Sequence, residues 1–211
     1  MTLESDCIYG LLGKNGQGKS TLLYLISGLL RPKNGTILFE NNDTKKRLPE
    51  TLREIFIVPE EYTMPQMSVK SFIEVNKSFY PRFSEAILYD CLKDFDLPEL
   101  SNLKTLSMGQ KKKVYMSFAL AARTRLLLMD EPTNGLDIPS KSLFRKVISK
   151  HMTKDRTLII STHQVHDVES LLDHILILDN ARLKLNASVA DITQQYRFEF
   201  RQPSEMDDND I

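Results

Sequence analysis

The segment Gly13-Lys14-Asn15-Gly16-Gln17-Gly18-Lys19-Ser20 constrains this chain more than any other, because its residue types work together only between a strand and a helix. An apolar run, Cys7 to Leu12, leads into it, and a helical run, Thr21 to Leu29, leaves it. Glycines let a backbone wrap closely enough for its N–H groups to converge on an anion. Lys19 has the reach for the β- and γ-phosphates of a nucleotide, and the Ser20 hydroxyl suits Mg2+. The helix next in the chain adds the positive end of its dipole to the same place. Gly13, Asn15, Gly16, Gly18, Lys19, Ser20 and Thr21 are therefore the candidate nucleotide-binding residues, with a functionless glycine-rich turn as the alternative.

Composition narrows the setting. With 28 basic and 28 acidic residues in 211, the net charge is zero, which argues against a nucleic-acid partner. No stretch reaches the roughly 18 uncharged apolar residues of a membrane span. The most apolar run, Leu22 to Leu30, is closed by Arg31-Pro32 and reads as a buried helix. No basic segment precedes an apolar one at the N-terminus, so no secretory signal is expected. Cys7 and Cys91 form no spacing motif and read as reduced thiols. A soluble, cytosolic protein is the expectation.

Strand-like runs recur at Ile8–Leu12, Thr36–Phe39, Glu54–Val58, Leu126–Met129, Thr157–Ser161 and Ile175–Leu178. Several are continuously apolar, as in strands covered on both faces. Helical patterns at Lys19–Leu29, Lys141–His151 and Gln164–Leu172 alternate with them, predicting a mainly parallel sheet flanked by helices. Between Tyr62 and Arg125 the pattern is helical, around Val69–Phe79, Ser84–Phe95 and Gln110–Arg123, broken by Pro65, Pro81 and Pro98. Asn34-Gly35 before Thr36–Glu40 predicts a small antiparallel element beside the main sheet. The fold class expected is thus an α/β phosphate-loop NTPase with an inserted helical subdomain. A single domain would span 1–201, with a nucleotide-binding core at 1–61 and 124–201, helices at 62–123, and an acidic, mobile tail at 202–211.

Leu126-Leu127-Leu128-Met129-Asp130-Glu131 would deliver two carboxylates to the C-terminal edge of a buried strand, where open α/β sheets place ligands. Asp130 is the candidate for holding Mg2+ through its water shell, and Glu131 the candidate for polarising the attacking water.

Further segments carry a family resemblance. Leu106-Ser107-Met108-Gly109-Gln110 resembles the signature motif of ATP-binding cassette (ABC) proteins; Pro132-Thr133-Asn134-Gly135-Leu136-Asp137 resembles their D-loop, and Ser161-Thr162-His163 their switch-histidine segment. The resemblance implies a head-to-tail homodimer, or a heterodimer with another ABC ATPase, that sandwiches two ATP molecules. Ser107, Gly109 and Gln110 of one chain would cap the γ-phosphate held by Lys19 of the other, with Asp137 nearby. Read from residues alone, Leu106–Gln110 is simply a helix cap. His163 would sense the γ-phosphate; a zinc site made by His163, His166 and Asp167 is the alternative. The Lys111-Lys112-Lys113 run reads as a solvated helix face, or as a contact with lipid or a partner.

Two departures from the family pattern stand out. A glutamine is usual after the strand at Ile55–Val58, whereas Pro59 is succeeded here by Glu60 and Glu61. Glu60 would replace it as a nucleotide-binding residue and Mg2+ ligand. The chain also starts twelve residues before Gly13, where the family has two further strands and an adenine-stacking aromatic. Either the chain is truncated or adenine is held without that stack; a truncated chain, with the antiparallel element exposed at its edge, is the expectation.

The resemblance implies an ATPase subunit that drives export through a separate integral-membrane permease, at the inner face of the membrane. Phe79-Tyr80-Pro81-Arg82-Phe83-Ser84 resembles antibiotic-efflux ATPases. A soluble cassette ATPase acting in translation or on nucleic acid, and a non-hydrolysing nucleotide-gated module, are the other readings.

Overall fold

Alternation along the strands builds this molecule from its middle outward. The computed structural model describes residues 1–97 and 102–195. Strands β1 (Ile8–Leu12), β4 (Ile55–Val58), β5 (Leu126–Asp130), β6 (Thr157–Thr162), β7 (His174–Asp179) and β8 (Arg182–Ser188) form one sheet in the order β4-β5-β6-β1-β7-β8. All pairings are parallel except β7 with β8. Odd and even strand positions bury on opposite sides. Phe56, Val58, Leu127, Met129, Leu158 and Ile160 enter one core, and Ile55, Leu126, Leu128, Ile159, Leu176 and Leu178 enter the other. Both faces are apolar because both are covered, so the mainly parallel sheet expected from the sequence is present.

Helix α1 (Lys19–Ile26) covers the second face through Leu23 and Ile26. The first face is covered by α3 (Val69–Lys77), α4 (Glu85–Asp94), α5 (Met108–Ala121) and α6 (Ile138–His151). Ser68, Ser84, Ser107 and Asp137 start these four helices, each accepting a hydrogen bond from the backbone N–H three residues on. Each such cap stabilises its helix by about 1 kcal/mol. Arg156, only 1% exposed, donates from Nε to the Thr124 carbonyl and from Nη2 to the Leu120 carbonyl. It thereby closes the C-terminal end of α5 onto the turn before β5. Burial lowers its pKa to about 10.

Several expectations need correction. The antiparallel element is present, but it pairs β2 (Leu38–Phe39) with β3 (Asn42–Asp43). Its turn is Glu40-Asn41, both with positive φ, and not Asn34-Gly35. Gln164–Leu172 is not an α-helix but two 3-10 turns, Val165–Asp167 and Glu169–Leu171. Short α2 (Pro49–Leu52), β8 and α7 (Val189–Gln195) were not anticipated. Cys7 lies just before β1 and is half-buried. Pro98 and the acidic tail fall outside the described residues.

Candidate functional site

Strand register gathers the candidate residues at one edge. Val58 pairs with Met129, Asp130 with Ser161, and Leu12 with Thr162, so β4, β5, β6 and β1 end side by side. Just beyond those four strand ends lie Glu60, Glu131, His163 and the Gly13–Ser20 loop respectively. Asp130 and Ser161 share parity with Leu128 and Ile159, which places them on the α1 face. Lys19 and Ser20 begin that helix, and α1 packs on β5.

The loop is shaped by close approach. A Cβ on Gly13 would lie 2.4 Å from the Leu178 carbonyl oxygen, and Gly18 caps α1 at φ 95°. No side chain fits the first position, and the second is left-handed. Gln17 Oε1 accepts from the backbone N–H of Asn180, tying the loop to the β7–β8 turn. Lys19 is 6% exposed and donates from Nζ to the carbonyls of Gly13 (2.9 Å) and Lys14 (3.3 Å). Asn15, Gly16 and Thr21 are exposed, and Ser20 is half-buried at the helix start.

Glu131 is buried, and its Oε1 is shared between two cations or potential cations. Lys19 Nζ lies 3.4 Å away and His163 Nδ1 3.0 Å away. The backbone N–H of His163 also approaches Oε2 at 3.4 Å. Asp130, 1% exposed, accepts from the Ser161 hydroxyl through Oδ1, while Oδ2 is buried and has no partner among the described residues. An orphaned buried carboxylate oxygen costs at least about 1–3 kcal/mol unless something satisfies it. That oxygen, on the face where Ser20 begins α1, fits a hard divalent cation of the Mg2+ type.

The remaining candidates are placed elsewhere. Ser107 and Gln110 bond each other reciprocally, the Ser107 hydroxyl accepting from Gln110 N (3.2 Å) and Gln110 Oε1 from Ser107 N (3.0 Å). Gly109 lies beside Leu136 and Gly135. Among the described residues, no hydrogen bond or ion pair joins Ser107, Gly109 or Gln110 to the Gly13–Ser20 loop. Asp137 Oδ1 accepts from Ser140 N at 2.9 Å, and hydrogen bonding from the Ser140 side chain and then from its backbone holds the Asp137 carboxyl below the usual range. Exposed Glu60 accepts from Asn134 Nδ2 through Oε1 at 2.9 Å. The zinc alternative does not assemble: His163 faces Glu131, His166 pairs with Glu169, and Asp167 pairs with Lys141.

The sequence profile of the ABC transporter family matches residues 1–134. The chain belongs to the ABC transporter family. It is similar to the ABC transporter ATP-binding protein YtrB of Bacillus subtilis (strain 168), at 28% identity over 198 residues, covering 93% of this chain and 68% of that one. The lantibiotic transport ATP-binding protein SrtF of Streptococcus pyogenes is 30% identical over 178 residues, covering 83% and 76%. A solved ATP-binding subunit of an ABC transporter superposes with a TM-score of 0.81 at 26% identity, covering 92% and 84%. This cassette is accordingly an ATP-binding protein of a transport family. No helix among its described residues is long and apolar enough to cross a membrane.

Three residues at this edge of the cassette have roles that the sequence did not assign. Ser161 holds Asp130, Asn134 holds Glu60, and Lys112 reaches in from α5. Lys112 is 7% exposed, so the lysine run is not wholly a solvated face. A separate cluster, Asp90, Asp94 and His151, has ligand atoms close enough to share a cation. Lys150 Nζ already bridges its two carboxylates at 2.6 and 2.8 Å, which makes it an ion-pair cluster.

Proposed function

We propose that this protein is the ATP-hydrolysing subunit of an ABC transporter and that it drives export through a separate membrane permease. One observation carries the reading: the buried Glu131 carboxylate, shared by Lys19 and His163, lies at the strand edge where Asp130 keeps an unpartnered oxygen. Two copies, or this chain and a related ATPase, clasp ATP head to tail. Lys19 and the backbone of the Gly13–Ser20 loop bind the phosphates, while Ser107, Gly109 and Gln110 of the other copy cap the γ-phosphate. The reciprocal cap leaves the start of α5 exposed, and Met108 there is 65% exposed. That geometry supports a second anion site at a helix start.

Ser20, Asp130 and Glu60 would hold Mg2+, which would supply positive charge against the charge that develops on the phosphate. Nucleotide phosphates compete with Glu131 for Lys19, because a multivalent anion outweighs a single carboxylate. Once Lys19 turns to the phosphates, Glu131 is left with His163 alone and is free to accept a water proton. That water attacks the γ-phosphorus, the bond to the bridging oxygen breaks, and ADP and phosphate form. His163 orients the carboxylate and registers the loss of the γ-phosphate. ATP closes the dimer only to the extent that it binds the closed state more tightly.

The permease partner and the inner face of the membrane as location rest on the family and on the lantibiotic transport of SrtF. A cleft of about 240 Å³, lined by residues that include Leu29, Arg47, Ile57, Tyr80 and Tyr115, offers a seat of mixed polar and apolar character for a permease segment. The proposed nucleotide-binding core at 1–61 and 124–201 and helices at 62–123 would meet at that seat. Turnover of Mg·ATP by the wild type and Glu131→Gln tests the reading. The variant should bind Mg·ATP as a dimer without hydrolysing it; parental turnover by the variant would remove Glu131 from its role.

A further inference from the structure

Glu131 is held in a backbone conformation that a non-glycine residue adopts only under constraint. Its φ is +45°, in the left-handed region. Such a residue costs about 1–3 kcal/mol and persists where its surroundings over-determine it. Two bonds flank the strain. The Glu131 N–H donates to the Ser161 carbonyl at 2.9 Å, and the Glu131 carbonyl accepts from Lys112 Nζ at 2.9 Å. The same ammonium donates to the Asn134 carbonyl at 2.9 Å, and Asn134 N in turn approaches the Glu131 carbonyl at 3.2 Å. One buried lysine thus closes the whole Glu131–Asn134 turn from a neighbouring helix.

Lys112 sits on α5, just over one turn past the Ser107 cap, in the same rigid helix. Burying an ammonium is costly, and burial does lower the Lys112 pKa against the opposing fields of Glu60, Glu131 and Asp130. A methionine of similar length would fill this space without that cost. The ammonium's distinctive contribution is donors aimed at two carbonyls.

We infer that Lys112 is a positioning residue for Glu131: it fixes the strained backbone that aims the cleavage carboxylate and joins that carboxylate to the Ser107–Gln110 helix start of the same chain. The inference rests on the hydrolytic reading of Glu131. In the head-to-tail arrangement, Ser107–Gln110 addresses one nucleotide and Glu131 the other. Lys112 then links the two pockets through a single side chain, so that seating of the partner-bound nucleotide against α5 is felt at this chain's carboxylate.

Steady-state Mg·ATP turnover by the full chain tests this with Lys112→Met, Lys112→Gln and Glu131→Gln side by side, each checked by thermal melting. Lys112→Met should lower kcat by about 100-fold, as loss of positioning does, while KM stays within about twofold because the Gly13–Ser20 loop is untouched. Lys112→Gln keeps two N–H donors on a shorter arm and should recover at least about tenfold of that loss at a parental melting temperature. Parental kcat in Lys112→Met, with Glu131→Gln inactive, overturns the inference alone. Should Lys112→Met not fold, a well-folded Lys112→Gln protein with kcat depressed about 100-fold overturns it equally. Turnover retained in Glu131→Gln overturns this inference together with the hydrolytic reading beneath it.

Discussion

Asn134 Nδ2 donates to Glu60 Oε1 at 2.9 Å, which ties the loop after β4 to the loop after β5 at the sheet edge where the candidate residues gather. A glutamine at position 60 keeps the same acceptor oxygen and loses only the charge. Glu60→Gln is therefore expected to leave ATP affinity intact and to change turnover by several-fold at most. Glu60→Ala loses the acceptor and should fall further. Equilibrium ATP binding and turnover of both variants check this, and a complete loss of binding in Glu60→Gln would refute it.

The unpartnered Oδ2 of Asp130 gives a metal-specific expectation. Asp130→Asn keeps the shape and removes the charge that would hold a hydrated Mg2+. The Mg2+ concentration for half-maximal turnover should rise by about 10- to 100-fold, as it does when a partner of the metal's ligand shell is lost. Magnesium titration at saturating ATP measures it, and an unchanged midpoint would remove Asp130 from the metal site.

His151 is 9% exposed at the end of α6, and burial lowers its pKa below 6.5 although Asp90 and Asp94 pull the other way. Between the folded pKa and 6.5 the unfolded chain binds the proton first, so stability rises with pH through that window and falls on acidification. His151→Gln removes this titration. Its melting temperature should drop less than that of the wild type between pH 7.5 and pH 5.5, and parallel drops would contradict the assignment.

Gly28 lies just past the end of α1 at φ +71°, and a Cβ there would lie 2.5 Å from the Thr44 carbonyl oxygen. Gly28→Ala is expected to destabilise the protein by about 1–3 kcal/mol through strain and clash. Denaturant unfolding would read this as a lowered midpoint at unchanged slope.

The parallel sheet was legible because β1, β4, β5 and β6 carry apolar residues at consecutive positions, a pattern only two-sided burial explains. The gathering of candidate residues at one sheet edge was legible because strand ends and motif spacing coincide. Lys112 was not, because three lysines in a row suggest water. Yet an α-helix turns about 100° per residue, so one of three consecutive residues points inward. Met116, fully buried four residues on, marks which one. Strand β8 was missed because Leu183, Leu185 and Ala187 alternate with polar residues and are not deeply buried. The buried Val168 and Leu172 mimic a helical stripe, but the chain tightens into one 3-10 turn before Val168 and another between the two. The hairpin was misplaced because Asn34-Gly35 is the stronger turn signal, whereas Glu40-Asn41 takes the left-handed conformation without glycine.

Asp130 lies directly across from Ser161 in the β5–β6 ladder, and both continue the inward alternation of their strands. A slip of one position between those strands would turn the acid away from the phosphate loop into the apolar core on the opposite face, and would swap the leucines beneath it between the two cores in the same stroke. Competence and foldedness are therefore inspected together in this cassette: a chain that mispairs here cannot survive as a stable but inert molecule.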